Sequence, residues 1–362
     1  MSERSHVRKG RRLVATAVGV LGLTALSGAL AAPAGACGGL VGQNGTVQLV
    51  RTTTLAAYHG GVERYVTSFE FSGEGEEVGS IIPLPDIPTK VERGGDWTLQ
   101  RLAQEVAPPS PVSAAAEDSA AKSAPEIILE TKIDALDITV LKGGGREVGE
   151  WAVDNGFFLT PDAPEVLDFY GDRSPVFMAA KFDASRAAEL GQTAGQGTPI
   201  MLTIPTDEPW VPLRILGLGL RESQVVEADV FLLTDDEPKL LAGGPGLTVD
   251  RSESASGSLL ADLRSDKGME WVPTEMWLSH LLVDAPASDL DYDLAVSAHE
   301  RTLPSIRAAG IPAPEARVIE PPRSDRPWWP VGLGLATGAL VLVAGIARGR
   351  RLDAVTGHGS PA

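Results

Sequence analysis

Cysteine and histidine are scarce in this chain of 362 residues. Cys37 is the only cysteine, so no disulfide can form within the chain. Of the five histidines, only His59, His280 and His299 lie between the two apolar ends, and their wide separation does not match the ligand spacing of a zinc site. A central region of about 290 residues without disulfides must therefore rely on an apolar core, for which its length is ample.

The sequence also lacks the motifs of common enzyme classes. It has no Gly-x-Ser-x-Gly elbow, no P-loop and no dinucleotide-binding fingerprint. A Ser-x-x-Lys string at 119–122 lacks the two companion strings that penicillin-recognising enzymes require. The catalytic residues are therefore unknown, and no cofactor is expected. His59, beside Tyr58 and two glycines, is the best catalytic candidate, although an exposed turn histidine explains the same residues.

Positive charge is scarce in the central region. Five basic residues precede the first apolar run and three follow the second, which leaves 23 basic against 46 acidic residues between them and a net charge of −23. Binding to a polyphosphate requires a cationic face, so we expect no nucleic-acid partner. An acidic exterior usually keeps a protein soluble, and it is also compatible with the binding of cationic ligands.

The N-terminus has the three-part pattern of a secretory signal peptide, which we predict over residues 1–36. Basic residues precede an apolar run at 13–30, and small residues at 34–36 provide a cleavage site. Cys37 follows that site directly. It is either simply the first residue of the mature chain or, if 34–37 acts as a degenerate lipobox, the site of lipidation.

A second apolar segment lies near the C-terminus. Two tryptophans and a proline lead into an uncharged run at 331–347, and three arginines follow it. A helix needs roughly 17 to 25 residues to cross the bilayer core, a length that this segment just reaches. Tryptophans favour the outer interface and arginines the cytoplasmic side. The pattern predicts a transmembrane helix at 328–347, a cytoplasmic tail at 348–362, and a single-pass plasma-membrane protein whose N-terminal domain lies outside the cell.

Between these segments the sequence predicts an α+β fold, with a β-rich extracytoplasmic domain at 37–300 and a few short helices. Apolar alternation at 46–54 and 62–71, around a turn that contains Gly60 and Gly61, predicts a hairpin. Helical spacing after Asp96 predicts a short helix that ends before a proline pair. Further along, we predict a strand at 211–218, a Gly/Ser-rich loop at 240–258 and a helix or amphipathic segment at 271–281.

Two stretches have the composition of exposed linkers. Residues 108–125 are almost entirely Ala, Ser, Pro, Glu and Lys, which cannot bury enough apolar surface to order themselves, and they are predicted to form a flexible insert. Residues 301–327 are rich in Pro, Arg and Ala and are predicted to form a stalk that leads to the membrane.

One acidic pattern suggests a metal site. Asp289, Asp291, Asp293 and Glu300 fall at positions one, three, five and twelve of a calcium-binding loop. Position six, where the sharp turn of such a loop requires glycine, is Leu294. The same stretch alternates apolar and acidic residues, as a half-buried strand with a solvated acidic face would. Both interpretations remain open, and the missing glycine favours the strand.

Several stretches resemble the domain of unknown function 2330 (DUF2330) family. They are EWAVDNGFFL at 150–159, APEVLDFY at 163–170, FMAAKF at 177–182, ACGG at 36–39, IIPLP at 81–85 and WVPLRI at 210–215. The resemblance implies an exported bacterial protein, often membrane-anchored. It implies no catalytic residues, since none are established for the family.

Two functions are compatible with these observations. The first is a non-catalytic binding or structural module of the cell envelope, which contacts the plasma membrane through its C-terminal helix and binds a cell-wall component or another protein. The second is an extracytoplasmic hydrolase whose site is assembled from residues distant in sequence.

Overall fold

The structure is a computed structural model. It describes residues 39–42, 52–68, 77–106, 127–192, 198–297, 299, 302–311 and 316–319. Backbone contacts divide the chain into Met1–Ala32 and Pro33–Ala362, and all described residues belong to the second unit. Several predicted features lie outside the described residues: the signal peptide, Cys37, the insert at 108–125 with its Ser-x-x-Lys string, the transmembrane helix at 328–347 and the tail at 348–362.

The described residues form a β-rich α+β fold, which confirms the predicted class. They contain sixteen strands and six α-helices, numbered here in chain order. Within this part of the chain, no helix combines the length and the apolar character needed to span a membrane.

The sixteen strands form three sheets, two of which are fully antiparallel. The large sheet contains β2 (Thr52–His59), β3 (Val62–Ser68), β5 (Lys90–Arg93), β9 (Pro199–Pro205), β11 (Val225–Thr234), β13 (Leu247–Ser254) and β14 (Trp277–Pro286), in the spatial order β13-β14-β11-β2-β3-β9-β5. The five-stranded sheet contains β1 (Gly39–Gly42), β4 (Glu77–Pro83), β6 (Ile127–Ile133), β7 (Leu136–Lys142) and β8 (Val176–Asp183), in the order β1-β4-β8-β7-β6. The small sheet contains β10 (Trp210–Val211), β12 (Leu240–Ala242), β15 (Leu294–Val296) and β16 (Arg317–Ile319), in the order β10-β15-β12-β16.

The helices are short and connect or cover the sheets. They are α1 (Thr98–Val106), α2 (Gly145–Asp154), α3 (Ala163–Gly171), α4 (Ala184–Glu189), α5 (Gly257–Ser265) and α6 (Ile306–Ala309). Two 3₁₀ turns span Arg214–Gly217 and Ala287–Asp289. Side-chain caps start several helices. The Ser256 side chain accepts a hydrogen bond from the backbone N–H of Leu259 at the start of α5, so one free N–H of the first turn is satisfied.

The predicted hairpin is present, but its first strand is β2 at Thr52–His59 rather than 46–54, and residues 46–51 lie outside the described residues. Strands β2 and β3 pair antiparallel from Thr54 opposite Thr67 to His59 opposite Val62. Gly60 and Gly61 between them both have positive φ, 59° and 78°, as a tight primed turn requires. On its other side β2 lies parallel to β11, so that the ends of β2 and β11 meet at one edge of the sheet.

The large sheet has an apolar core on each face. Val230 and Leu232 of β11 belong to the main core, which also contains residues of the five-stranded and small sheets. Phe231 and Leu233 belong to a smaller core that includes the apolar faces of α1 and α5. Because successive side chains of a strand point to opposite faces, a nearly continuous apolar run such as that of β11 indicates burial on both sides.

A buried carboxylate joins the five-stranded sheet to the large sheet. Asp134 lies in the turn between β6 and β7 with φ of 54°, a rare conformation outside glycine. It accepts hydrogen bonds from Arg93 Nη1 of β5, at 2.8 Å, and from the Thr198 hydroxyl. These bonds hold the strained turn against the edge of the large sheet.

Three local predictions were wrong. The predicted strand at 211–218 stops after Val211, because Pro212 has no N–H to continue the ladder, and a 3₁₀ turn follows. The predicted loop at 240–258 contains β12 and β13. The predicted helix or amphipathic segment at 271–281 ends in β14, where cross-strand pairing to both β11 and β13 overrides the local pattern.

The stretch predicted as a stalk contains folded elements. Helix α6 lies within it, and Ala308, Ala309 and Ile311 are buried. Strand β16 pairs antiparallel with β12. The domain therefore extends past the expected boundary at residue 300.

Candidate functional site

The structure places the three aspartates of the predicted calcium loop in different environments. Asp289 ends a 3₁₀ turn, Asp291 is exposed and Asp293 is completely buried, while Glu300 lies outside the described residues. The strand covers only 294–296, so the acidic alternation does not place all three aspartates on a solvated face. Among the residues that the structure describes, no group of three His, Cys, Asp or Glu side chains could hold a metal ion.

Asp293 instead accepts hydrogen bonds from protein donors. Its Oδ1 accepts from the Tyr170 hydroxyl at 2.9 Å and from the backbone N–H groups of Leu213 and Arg214 at 2.6 and 3.1 Å. Its Oδ2 is paired with Arg173 Nη2. Burial, followed by the charge of Asp293, raises the pKa of Tyr170 well above its usual value, so the phenol stays a donor.

Arg173 lies in an aromatic box. Its guanidinium carbon is 4.5 Å from the Trp210 ring centre, 4.7 Å from that of Phe169 and 5.1 Å from that of Tyr170. The nearby Gly310 has a φ of 68°, and a Cβ there would lie 2.0 Å from Arg173 Nη1. Glycine is therefore required at that position. We call Tyr170, Arg173, Trp210 and Asp293 the buried polar centre.

Stretches that are distant in sequence meet at this centre. Tyr170 ends the APEVLDFY stretch, and Trp210 begins the WVPLRI stretch. The IIPLP stretch joins through Ser174, whose hydroxyl donates to the carbonyls of Leu84 and Pro85 at 2.6 and 3.1 Å. Asp293 is separated from its hydrogen-bonding partners by 79 to 123 residues, which explains why local sequence patterns did not indicate the centre.

A small pocket of about 270 Å³ lies beside the buried polar centre. Its exposed residues are charged, with three carboxylates and one guanidinium, and its buried residues include two members of the centre: Asp86, Asp207, Glu208 and Arg307 in the first group, Arg173, Ser174 and Trp210 in the second. We call it the small pocket. The pocket is lined by both positively and negatively charged residues, and its volume suits a small ligand.

A larger groove of about 980 Å³ lies at the edge of the large sheet where β11 ends and β14 begins. These two strands are antiparallel neighbours, with Thr234 opposite Trp277, so the loop after β11 and the loop before β14 meet there. Four carboxylates and one lysine line it, together with aromatic and aliphatic surface: Asp235, Asp236, Glu237, Glu275, Lys239, Trp277 and Val318. We call it the acidic groove. Val318 of β16 is 58% exposed.

His59 lies close to one wall of the acidic groove. Its Nδ1 is 2.5 Å from Oδ1 of Asp235, which lines the groove, and the two side chains are 44% and 48% exposed. The backbone N–H of Gly60 also points to Asp235, at 3.4 Å. Within the described part of the chain, no hydroxyl or thiol is hydrogen-bonded to the His59 ring. The pair therefore has the base and the orienting carboxylate of a catalytic triad, but the described residues supply no nucleophile to it.

A second histidine forms an arrangement that sequence patterns did not indicate. His280 is buried, with Nε2 2.9 Å from Asp229 Oδ1 and Nδ1 3.0 Å from Asp250 Oδ2. Its ring stacks on Phe231 at 4.6 Å. A β-bulge between β13 and β14 places Asp250 opposite the ring. The register of three strands, rather than any local spacing, brings these groups together.

Glu63 is a buried carboxyl in the middle of the large sheet. It lies on β3 opposite Tyr58 of β2 and Ile204 of β9. Neither oxygen has a hydrogen-bond partner among the described residues. Burial raises the pKa of Glu63 from 4.5 to about 8, and this effect outweighs the opposing effect of the Trp210 backbone. The carboxyl is therefore neutral over most of the physiological pH range.

Comparisons with known proteins give one family and distantly similar solved structures, two of which are described here. A family described as an uncharacterized protein conserved in bacteria (DUF2330) matches residues 31–235. No curated protein matches the sequence. Among solved structures, baculovirus P35 has a TM-score of 0.34 at 8% identity, over 72% of this chain and 96% of that one. A mutated baculovirus P35 after caspase cleavage has a TM-score of 0.31 at 9% identity, over 69% and 96%. Similarity this low supports no functional argument.

Proposed function

Since the chain belongs to the DUF2330 family of uncharacterized proteins conserved in bacteria, we propose a function from its own residues. The protein is a non-catalytic binding module of the cell envelope. Residues 328–347 anchor it in the plasma membrane, and the folded domain faces outward. Its binding site is the acidic groove, and its partner is a protein that presents an extended segment rich in lysine and arginine.

The charge of the acidic groove is the observation that carries this proposal. Four carboxylates face one lysine across about 980 Å³ of open volume, at the upper end of the range for ligand sites. Such a surface attracts cations and speeds the encounter with a basic partner. Trp277 and Val318 add apolar contact area, which charge alone does not supply.

An extended partner suits the walls of the groove. Strand β16 lines it and pairs with β12 on one side, and no described strand pairs with its other side. A segment in β conformation could therefore add to this edge through its backbone, while its basic side chains reach the carboxylates. The His59–Asp235 pair lies beside the groove, which Asp235 lines, and without a nucleophile among the described residues it supports binding rather than hydrolysis.

Peptide binding tests the proposal directly. The full-length protein in lipid nanodiscs is titrated with two fluorescent ten-residue peptides, one rich in lysine and one rich in glutamate. We expect binding of the lysine-rich peptide only, with an affinity that falls steeply as salt increases. Charge reversal at the groove, Asp236→Lys with Glu275→Lys, is expected to weaken binding at least tenfold.

A matched reversal elsewhere controls for net charge. Glu130 is exposed on β6 of the five-stranded sheet, so Glu130→Lys with Glu150→Lys changes the total charge equally and leaves the groove intact. This control should bind as the parent protein does. The proposal would be contradicted if both peptides bound equally well, or if both double variants lost the same amount of affinity. Turnover of generic ester or peptide substrates would also contradict it.

A further inference from the structure

We propose that Gln192 and Thr198 become joined by an intramolecular ester bond, with Asp134 as the base of the reaction. The hydroxyl oxygen of Thr198 attacks the side-chain amide carbon of Gln192, and ammonia leaves. This is a single covalent event within each chain rather than turnover of a substrate, and it does not depend on the function of the acidic groove.

The three side chains that the reaction needs are in contact. The Thr198 hydroxyl donates to Asp134 Oδ2 at 2.5 Å, and Gln192 Nε2 donates to the same hydroxyl oxygen at 3.2 Å. Asp134 comes from the turn between β6 and β7, Gln192 from the segment after α4, and Thr198 from the position before β9. The hydroxyl therefore lies between a carboxylate that can accept its proton and a carboxamide that it can attack.

Asp134 is held in place to act as the base. Its side chain is buried, and Arg93 Nη1 donates to its Oδ2 at 2.8 Å, so Arg93 is a positioning residue. Thr198 is also buried, with 4% of its surface exposed, so little water competes for its hydroxyl. A hydroxyl is a weak nucleophile by itself and becomes effective when a neighbouring base accepts its proton.

The Gln192 carboxamide is poorly satisfied as an amide. Its Oε1 is closed to solvent and has no hydrogen-bond partner among the residues that the structure describes. A buried polar atom without a partner raises the free energy of the folded chain. The amide carbon is bonded directly to Nε2, so a rotation of the side chain brings that carbon to the Thr198 hydroxyl oxygen. An ester also has no N–H group, so the reaction removes donors that a buried site must otherwise satisfy.

The reaction balances without a further reactant. The Oγ1–H bond of Thr198 breaks and its proton passes to Asp134, while Oγ1 forms a bond to Cδ of Gln192. The Cδ–Nε2 bond then breaks, and Asp134 returns the proton to the nitrogen, which leaves as ammonia. No atom changes its oxidation state, and the Asp134 carboxylate is regenerated. Escape of ammonia into the solvent makes the step irreversible, and burial of the site protects the ester from hydrolysis.

The bond would link two of the sheets covalently. Gln192 follows β8 of the five-stranded sheet and α4, and Thr198 leads directly into β9 of the large sheet. Cys37 is the only cysteine, so the chain cannot make such a link with an internal disulfide. A covalent link between distinct elements lowers the conformational entropy of the unfolded chain and so favours the folded state.

Peptide mass spectrometry of the full-length protein tests the inference. No lysine or arginine lies between Arg186 and Arg214, so trypsin releases both side chains in one peptide, 187–214. We expect this peptide to weigh one ammonia molecule less than its sequence, and to give no separate backbone fragments from cleavage between Gln192 and Thr198. Mild alkali should open the ester and leave glutamate at position 192. A peptide with the mass of its unmodified sequence, or one that already has glutamate at position 192 before alkali, would overturn the proposal.

Substitutions then identify the reacting groups. Thr198→Val and Asp134→Asn should each abolish the loss of ammonia, whereas Thr198→Ser, which keeps a hydroxyl, should retain it. Asparagine tolerates the positive φ of position 134, and near-ultraviolet circular dichroism checks that each variant is folded. Thr203→Val changes a half-buried threonine of the same peptide and is the matched control, which should keep the ester. Ammonia loss that persists in Thr198→Val would come from another residue and would contradict the inference.

Discussion

Arg173 and Asp293 form an ion pair inside the domain, although 120 residues separate them in sequence. Arg173 follows α3, and Asp293 immediately precedes β15 of the small sheet. The pair therefore connects a helix near the five-stranded sheet with the last part of the domain. The three aspartates at 289–293 therefore differ in exposure. Asp289 and Asp291 are at least partly accessible to solvent, whereas Asp293 is buried in its ion pair with Arg173.

Removing the Asp293 charge should strongly destabilise the domain. Asp293→Asn leaves the Arg173 cation buried and unpaired, and breaking one side of a buried pair typically costs about 3–5 kcal/mol. The free energy of unfolding, from urea denaturation followed by tryptophan fluorescence, measures this loss. Asp291→Asn, two residues away and exposed, is the matched control and should have no measurable effect. Similar losses in the two variants would show that the pair is not important for stability.

The stability of the domain should fall as pH rises from about 4.5 to 8 because of Glu63. Its pKa is 4.5 when unfolded and about 8 when folded, so the folded state binds more protons in this window and stability is lost as pH increases. Glu63→Gln removes this dependence. Its effect on the free energy of unfolding should therefore be more favourable at pH 8.5 than at pH 4, by about 4–5 kcal/mol. Urea denaturation at both pH values measures the difference.

The exposed Glu130 provides the control for Glu63. Glu130→Gln should leave the pH profile of stability as it is in the parent protein. If Glu63→Gln has the same pH profile as Glu130→Gln, the Glu63 carboxyl is ionised in the folded state and the argument from its burial is wrong.

His280 should be important for folding, whereas His299 should not. Replacing His280 with leucine removes the ring nitrogens that bridge Asp229 and Asp250. The Asp229 side chain, which is only 15% exposed, then loses this contact. The loss of a hydrogen-bonding partner for a buried group costs about 1–3 kcal/mol. Thermal unfolding followed by near-ultraviolet circular dichroism measures it. His299→Leu is the matched control because His299 is exposed. An unchanged midpoint for His280→Leu would contradict the prediction.

Membrane topology can be measured with cysteine labelling because Cys37 is the only native cysteine. In a Cys37→Ala background, Ala261→Cys places a thiol on the exposed side of α5. Ala354→Cys places one in the predicted cytoplasmic tail. A membrane-impermeant maleimide should label the first variant in intact cells and the second only after lysis. Labelling of the tail in intact cells would reverse the proposed orientation.

Local sequence patterns predicted the elements whose cause is local. The hairpin at β2–β3 follows from Gly60 and Gly61, the residues that tolerate positive φ, and α1 follows from helical spacing that begins after Asp96. The strand predicted at 211–218 was wrong, although Pro212 is a local signal that could have ended it. The segment at 271–281 was wrong for a different reason, since its apolar residues fit both periods and only pairing with β11 and β13 makes it a strand.

Local sequence patterns could not predict most of the candidate sites. His59 was identified as an exposed turn residue, but its partner Asp235 lies 176 residues away and becomes its neighbour only because β2 and β11 are parallel. The acidic groove, the small pocket and the His280 arrangement each combine residues from several elements. No spacing within one segment could have indicated them.

The sequence by itself determined the α+β class, the acidic excess and the absence of disulfides within the chain, because composition and short-range periodicity carry that information. Family membership followed separately, from the match of residues 31–235 to the family. Only the tertiary structure decided which charges are solvated and which are internal. Asp291 and Asp293 are the same residue type two positions apart, yet one is exposed and the other is bonded to Arg173. The difference arises because burial depends on what the rest of the chain packs against each residue, and that packing is set by strand register across more than a hundred residues.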